Sequence, residues 1–254
     1  MRLFKADLHT HTVLSPCGDL DMSPDEILRL AKERGLDMIG ISDHNTTKHC
    51  KLAKKIGQEL GVFVLCGAEV TTQEEAHCLS FFETEEQLQE FENYLQQHLP
   101  DIPNDPEKFG YQVQVDEELN IVYEEPKFLI SAIDQSVEQI EQKVHSLQGL
   151  FVPAHIDKPK FSLPSQLGFI PFDLNVDGVE LSIRATKYDY LLRNKYLKNK
   201  TFIQSSDAHY TNQIASTFCY FEMEEISFAE IRKAFHQEDG RRVLLREEVE
   251  QKEQ

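Results

Sequence analysis

LFKADLHTHT, residues 3–12, runs from an apolar stretch straight into two histidines set one residue apart. Alternate residues of a strand point to the same side, so His9 and His11 at the end of such a run aim at one cavity. The arrangement recurs along the chain. DMIGISDH (37–44) ends on Asp43 and His44, VFVLCGAEV (62–70) carries Glu69 near its end, and TFIQSSDAH (201–209) ends on Asp207 and His209, a second pair of alternate residues. His77 opens HCLSFF, and His155 stands near the end of GLFVPAHI. Catalytic residues of barrel enzymes gather at the C-terminal ends of strands, and this repeated placement has that form.

GVELSI (178–183) and FCYFEM (218–223) complete a rhythm of short apolar runs separated by helical periodicity, which predicts βα units. The first helix is announced by Ser23 as N-cap, Pro24 at the first helical position and Glu26 three residues after the cap, and should stop at Gly35. Leu88, Phe91, Leu95 and Leu99 form a helical stripe, as do Val137, Ile140, Val144 and Leu147. Ser227 and Glu230 repeat the capping spacing before Ile231 and Phe235. PDIPNDPEKFG breaks the rhythm, and YQVQV and NIVYE then flank DEEL like a hairpin. Residues 100–126 therefore read as an insertion, expected to shape the mouth of the pocket. The tail from about residue 246 has few apolar residues and is expected to fray. No repeat of fixed period is found, and one domain over residues 1–254 is the expectation.

Forty-four Asp plus Glu against 26 Lys plus Arg give a formal charge of −18, which argues against an extended nucleic-acid surface. Bound divalent metals would supply the positive charge that a phosphorylated substrate needs, with some of the acidic residues as their ligands. The opening residues lack the pattern of a leader, and no stretch of about 18 apolar residues occurs, so a cytoplasmic protein without membrane contact is expected. Oligomeric state is not readable. The five cysteines (Cys17, Cys50, Cys66, Cys78, Cys219) form no CxxC pair, which points away from a disulfide framework or a thiolate zinc knuckle.

Imidazole and carboxylate ligands suit Zn, Mn or Fe, and a carboxylate such as Glu69 can bridge two ions about 3.5–4 Å apart. A water between such ions is acidified, and the resulting hydroxide can attack phosphorus without a protein nucleophile or an organic cofactor. Glu69, Asp207 and His209 are the candidate catalytic residues. Lys158, Arg184 and Lys187 follow strand ends and are candidates to grip a substrate phosphate, Arg being suited to bidentate contact.

DLHTHT, SDHN, GAEV, AHID and SSDAH, in this order, resemble the PHP (polymerase and histidinol phosphatase) family from about Leu3 to Tyr210. The resemblance implies a distorted (β/α)7 barrel, similar to a TIM barrel, and a centre of two or three divalent metal ions. It implies one ion on His9, His11, Glu69 and Asp207, a second on Glu69, His77 and His155, and a third on Asp19, His44 and His209. Family members carry a His or Asp ligand shortly after the first motif, where this chain has SPCGDLD. Asp19 is the choice for that place, with Asp21 and Cys17 as alternatives.

Blander readings stand beside these. His49, His98, His145 and His236 read as surface or hydrogen-bonded histidines. Asp43 reads as a partner that orients an imidazole, and Asp7 as either such a partner or a strand-edge charge. The leading function is hydrolysis of a small phosphomonoester or nucleotide-type substrate. The competitors are a nuclease or DNA-proofreading phosphodiesterase and a non-catalytic metal-binding regulator.

Overall fold

The first helix shows how local sequence sets the frame. Pro24–Glu33 begins where Ser23 accepts from the Glu26 amide, and it ends against Gly35, whose φ of +70° favours a residue without a Cβ. Glu85–His98 and Val137–Ser146 start with capping boxes on Thr84 and Ser136, and bury Leu88, Phe91 and Leu95, and Val137, Ile140 and Val144. Phe228–His236 is capped by Ser227, but Glu230 turns away from that cap to accept from the Glu224 amide and pair with Arg241.

The computed structural model describes residues 1–250. Its strands are β1 (Arg2–Asp7), β2 (Met38–Ile41), β3 (Phe63–Thr71), β4 (His77–Phe82), β5 (Val113–Val115), β6 (Ile121–Glu124), β7 (Leu150–Pro153), β8 (Val179–Leu181), β9 (Phe202–Gln204), β10 (Cys219–Met223) and β11 (Arg242–Leu245). Seven of them form one sheet in the order β11-β10-β1-β2-β3-β4-β7. The parallel pair β8–β9 fills the remaining gap, β8 beside β7 and β9 beside β11. The result is the expected distorted α/β barrel. Its distortion has a plain cause: β1, β2 and β3 run parallel, but the short connection from Thr71 to His77 folds β4 back antiparallel on β3. A connection that short cannot hold the crossover that a parallel neighbour needs.

The segment 100–126 contains the short helix Pro106–Phe109 and the antiparallel hairpin β5–β6. Val113 and Val115 pack on Val13 and Leu52. Arg246–Glu250 is helical where fraying was expected, and the rest of the tail lies outside the described residues. Among the described residues, no helix is long and apolar enough to cross a membrane.

One buried carboxylate joins three elements around β7. Asp177 accepts from the Phe151 amide (2.7 Å) and lies 2.9 Å from His145 Nε2 and 2.6 Å from His236 Nε2. Burial opposes its ionisation, but His145, the Phe151 amide and His236 outweigh this and hold Asp177 below the usual carboxylate range. Asp177, followed by burial acting the other way, leaves His145 raised. Asp177→Ala should therefore cost about 2–4 kcal/mol of unfolding free energy by urea titration. The stabilisation from His145 should be full below about pH 6.5 and fade as pH rises through its higher folded pKa. That from Asp177 should be present above about pH 4 and fade in acid. A variant of unchanged stability would remove this carboxylate from the frame.

Candidate metal centre

His9 and His11 leave the end of β1 on either side of Thr10, and Asp207 and His209 leave β9 on either side of Ala208. Thr10 and Ala208 form a parallel bridge, with the His11 amide donating to the Ala208 carbonyl at 2.9 Å. The bridge sets the two pairs in register, so all four side chains face one space. A second parallel bridge joins His44 to Glu69, and the β3–β4 register sets His77 opposite Thr71, two residues from Glu69. His155 closes the ring after β7.

Glu69 lies at the centre. Its Oε1 is 3.2 Å from His9 Nε2, 3.0 Å from His77 Nδ1 and 3.1 Å from His155 Nε2. Its Oε2 is 3.3 Å from His11 Nε2 and 3.2 Å from His44 Nδ1. Asp207 Oδ1 lies 3.4 Å from Nε2 of both His9 and His11. His209 stacks on His11 with ring centroids 4.3 Å apart. Two of these residues hold left-handed backbone, His155 at φ +30° and Asp207 at φ +52°, a conformation that costs a non-glycine residue about 1–3 kcal/mol.

The donor set fits divalent ions. His44 is buried with neither ring nitrogen hydrogen-bonded, although Glu69 Oε2 lies 3.2 Å from Nδ1. His77 Nε2 and His155 Nδ1 are also buried without partners. Unmet buried nitrogens of this kind are costly unless a ligand takes their lone pairs. Ligand atoms of His9, His11 and Glu69, and of His44, Glu69 and His77, lie within 4.8 Å of one another.

The charges in this space are linked. Burial works against ionised Glu69, but His77, His9 and His44 overcome it and hold the carboxyl well below its usual range. Asp207 is likewise well below, burial being outweighed by His9 and His11. Burial disfavours protonated His9, yet Glu180, Glu69 and Asp207 raise it well above the ordinary histidine range. Burial and then the charge of His11 press His44 well below that range, and take His209 down to about 4.

Several surrounding roles follow from the hydrogen bonds. Asp43 accepts from the Thr12 amide and hydroxyl and from Ser15 Oγ, and Ser15 Oγ lies 3.1 Å from His11 Nδ1. Asp43 thus orients His11 through Ser15. His49, read as a surface or hydrogen-bonded histidine, is the second of these and is buried; it accepts from the Val115 amide of the hairpin and meets Thr12 Oγ1 at 2.6 Å. Asp7 accepts from the Ser206 and Ala215 amides, and so fixes the loop that carries Asp207 and His209; burial pushes its pKa up to about 6.

Three sequence expectations need correction. Asp19 Oδ1 accepts from the Asp21 amide at 2.9 Å, and Cys17, not Asp19, is the residue of that loop whose ligand atom is grouped with those of His11, His44 and His209. Lys187 points elsewhere, its ammonium 2.9 Å from Glu248 Oε1 and its amide on Glu247. The segment 100–126 places no described residue in the walls of the main cleft.

That cleft has a volume of about 1190 Å³ and opens beside His155, Glu180 and Asp207. Lys158 and Arg184 line it, as do Lys160 and Arg193. Lys158 binds Asp207 Oδ2. Glu180 was missed in the sequence. It is buried, 3.0 Å from His9 Nδ1, and accepts from the His155 amide at 2.9 Å. The sign of it was there: an acidic residue in the middle of the otherwise apolar run GVELSI.

A family model for the PHP domain matches residues 7–162. The chain belongs to the PHP domain family. The family is the one that the motifs implied; Asp207 and His209 lie beyond the matched segment. This PHP chain is similar to the uncharacterized protein YqxK of Bacillus subtilis, with 25% identity over 96% of the chain and 65% of that protein. In structure it resembles the lesion-specific endonuclease of Pyrococcus furiosus, with a TM-score of 0.74 and 24% identity over 95% of the chain and 58% of the endonuclease. It also resembles a Bifidobacterium adolescentis protein thought to be a metal-dependent phosphoesterase, with a TM-score of 0.59 and 19% identity over 92% of the chain and 96% of that protein. The PHP chain thus spans under two thirds of the length of the first two.

The Glu180 contact makes a test. A carboxylate behind a ligating imidazole fixes its tautomer and strengthens it as a donor. Glu180→Gln should weaken metal affinity about tenfold or more in chelator competition, with the fold intact by circular dichroism. Unchanged affinity would make Glu180 a structural contact only.

Proposed function

We propose that this chain hydrolyses a phosphoester using two or three divalent ions, Zn, Mn or Fe, held at the strand ends. The observation that carries the reading is Glu69, one buried carboxylate with three imidazoles around one oxygen and two around the other. His9, His11, Glu69 and Asp207 would hold one ion, and Glu69, His77 and His155 a second. Bound there, the ions would supply Lewis acidity toward the phosphoryl oxygens and an acidified water as nucleophile.

The chain's own residues do the rest. Glu180 holds the proton of His9 on Nδ1 and leaves Nε2 facing the ring. Lys158 stands on Asp207 at the inner end of the cleft, where its ammonium can turn to a phosphate oxygen. Arg184 lies farther out with an exposed guanidinium suited to a second phosphate contact. Phe161, 44% exposed and stacked on His77 at 5.0 Å, offers an apolar face beside the reacting centre. A cleft of about 1190 Å³ exceeds the roughly 300–1,000 Å³ of common small-ligand sites, which supports a nucleotide-sized substrate.

A second reading, phosphodiester cleavage in a nucleic acid, is favoured by two observations. One is the four cations around the cleft; the other is the similarity to an endonuclease. A panel on metal-loaded protein separates the two: p-nitrophenyl phosphate, bis-p-nitrophenyl phosphate, nucleotides, histidinol phosphate, single-stranded DNA and a duplex with an abasic site. Turnover of small esters supports the first reading, and cleavage of DNA alone supports the second. Inertness toward all of them, with metal bound, favours a regulator.

Glu69→Gln keeps the size of the side chain and removes its charge. It should lose at least one ion by elemental analysis and lower kcat about 10³-fold or more, while His98→Ala, whose side chain pairs with Asp134 away from the ring, should change little. Full metal content with native turnover in the Glu69 variant would refute a bridging role. Arg184→Ala should raise KM for the phosphoester and leave metal content unchanged, and an unaltered KM would take Arg184 out of substrate binding.

A further inference from the structure

Resting on the reading that the ring holds a metal cluster, we infer that Cys17 is a ligand of the third ion, which sits on Cys17, His44 and His209 with a fourth position open. The loop after His11 is wound tightly. The Ser15 amide donates to the Thr12 carbonyl at 3.0 Å, the Gly18 amide to the Ser15 carbonyl at 2.9 Å, and the Asp19 amide to the His209 carbonyl at 2.9 Å. A Cβ on Gly18 would lie 2.5 Å from the Thr12 carbonyl oxygen, so the turn accepts only glycine there. This winding turns residue 17 toward the imidazoles and residue 19 away, where its carboxylate caps the Asp21 amide.

One ligand atom from each of Cys17, His11, His44 and His209 lies within 4.8 Å of the others. His11 Nε2 already faces Glu69 and Asp207, which leaves three donors for a separate ion. The tautomer of His209 is set by its own backbone: Nδ1 donates to the Asp207 carbonyl at 2.8 Å, so Nε2 is the free donor. His44 is the independent sign of a ligand. It is 1% exposed, neither of its nitrogens is hydrogen-bonded, and it lies beside this loop, its ring centroid 4.5 Å from that of His11. Cys17 is half-buried whereas Cys50, Cys66, Cys78 and Cys219 are buried, which gives it the access that a metal ligand in an open site needs.

The consequence is selectivity. A thiolate with two imidazoles and one open position suits zinc or cobalt and disfavours manganese and magnesium. One ion of the cluster would then differ in kind from the two shared by Glu69. Aspartate at position 17 would make the third place resemble the other two.

The test is cobalt reconstitution of the purified protein. Wild type should show a thiolate-to-cobalt charge-transfer band in the near ultraviolet, and this band should vanish in Cys17→Ser with the loss of one ion. Cys17→Asp should keep its ion count without the band and take up manganese more readily than wild type. Cys17 in wild-type holoprotein should react with iodoacetamide about tenfold more slowly than after chelation. Full cobalt content with no such band, and equal alkylation with and without metal, would overturn the assignment of Cys17 while leaving the rest of the cluster standing. Protein that takes up no cobalt or zinc at all would remove the cluster and this ligand with it. The wild-type band and alkylation rates decide the matter even if a variant fails to fold.

Discussion

A carboxylate buried without partners is among the costliest groups a protein can hold, and Glu69 is buried at the closed centre of this barrel's active end. Five imidazoles answer it, but they cannot all be charged. Glu180, Glu69 and Asp207 draw protons to His9, while burial and the charge on His11 keep His44 and His209 neutral. Without ions, the ring is a compromise between one set of attractions and another of repulsions. Divalent ions would resolve it, because neutral imidazoles would then become donors and the carboxylates would face cations that do not have to share protons.

The scaffold's departures from a regular barrel serve this centre. Two parallel bridges, Thr10 with Ala208 and His44 with Glu69, extend strand register just past the strands and so point these imidazoles and carboxylates inward. The fold-back of β4 on β3 brings His77 to the same end as Glu69, which a parallel crossover to β4 would not do over so few residues. The strained backbone at His155 and Asp207 is held by named contacts: Glu180 accepts the His155 amide, and Asp7 grips both sides of the loop that carries Asp207.

Much of this convergence was legible because strand-end imidazoles and carboxylates are encoded locally. An apolar run followed by His-x-His or Asp-x-His needs no knowledge of the rest of the chain, and the helix caps at Ser23, Thr84 and Ser136 are equally local. What was not legible depends on contacts distant in sequence. Glu180 meets His9 across 171 positions, and Lys187 is diverted to the tail by Glu247 and Glu248. The choice between Cys17 and Asp19 turns on one tight turn, where a shift of two residues exchanges inside for outside. Lys160 and Arg193 line the cleft only because separate loops converge there.

The distribution of charge bears on what can reach the centre. A formal charge of −18 repels a polyanion at long range, yet Lys158, Lys160, Arg184 and Arg193 surround the cleft. The same walls carry Asp157, Glu180, Asp189 and Asp207, so carboxylates match these cations, and screening beyond about 8 Å at physiological salt removes only the more distant acidic surface. Each divalent ion bound in the ring would add positive charge there. On the proposed reading, recognition would be concentrated within a nucleotide or so of the scissile bond. A long duplex would gain few backbone contacts, and a short or locally extruded phosphoester loses little by lacking them.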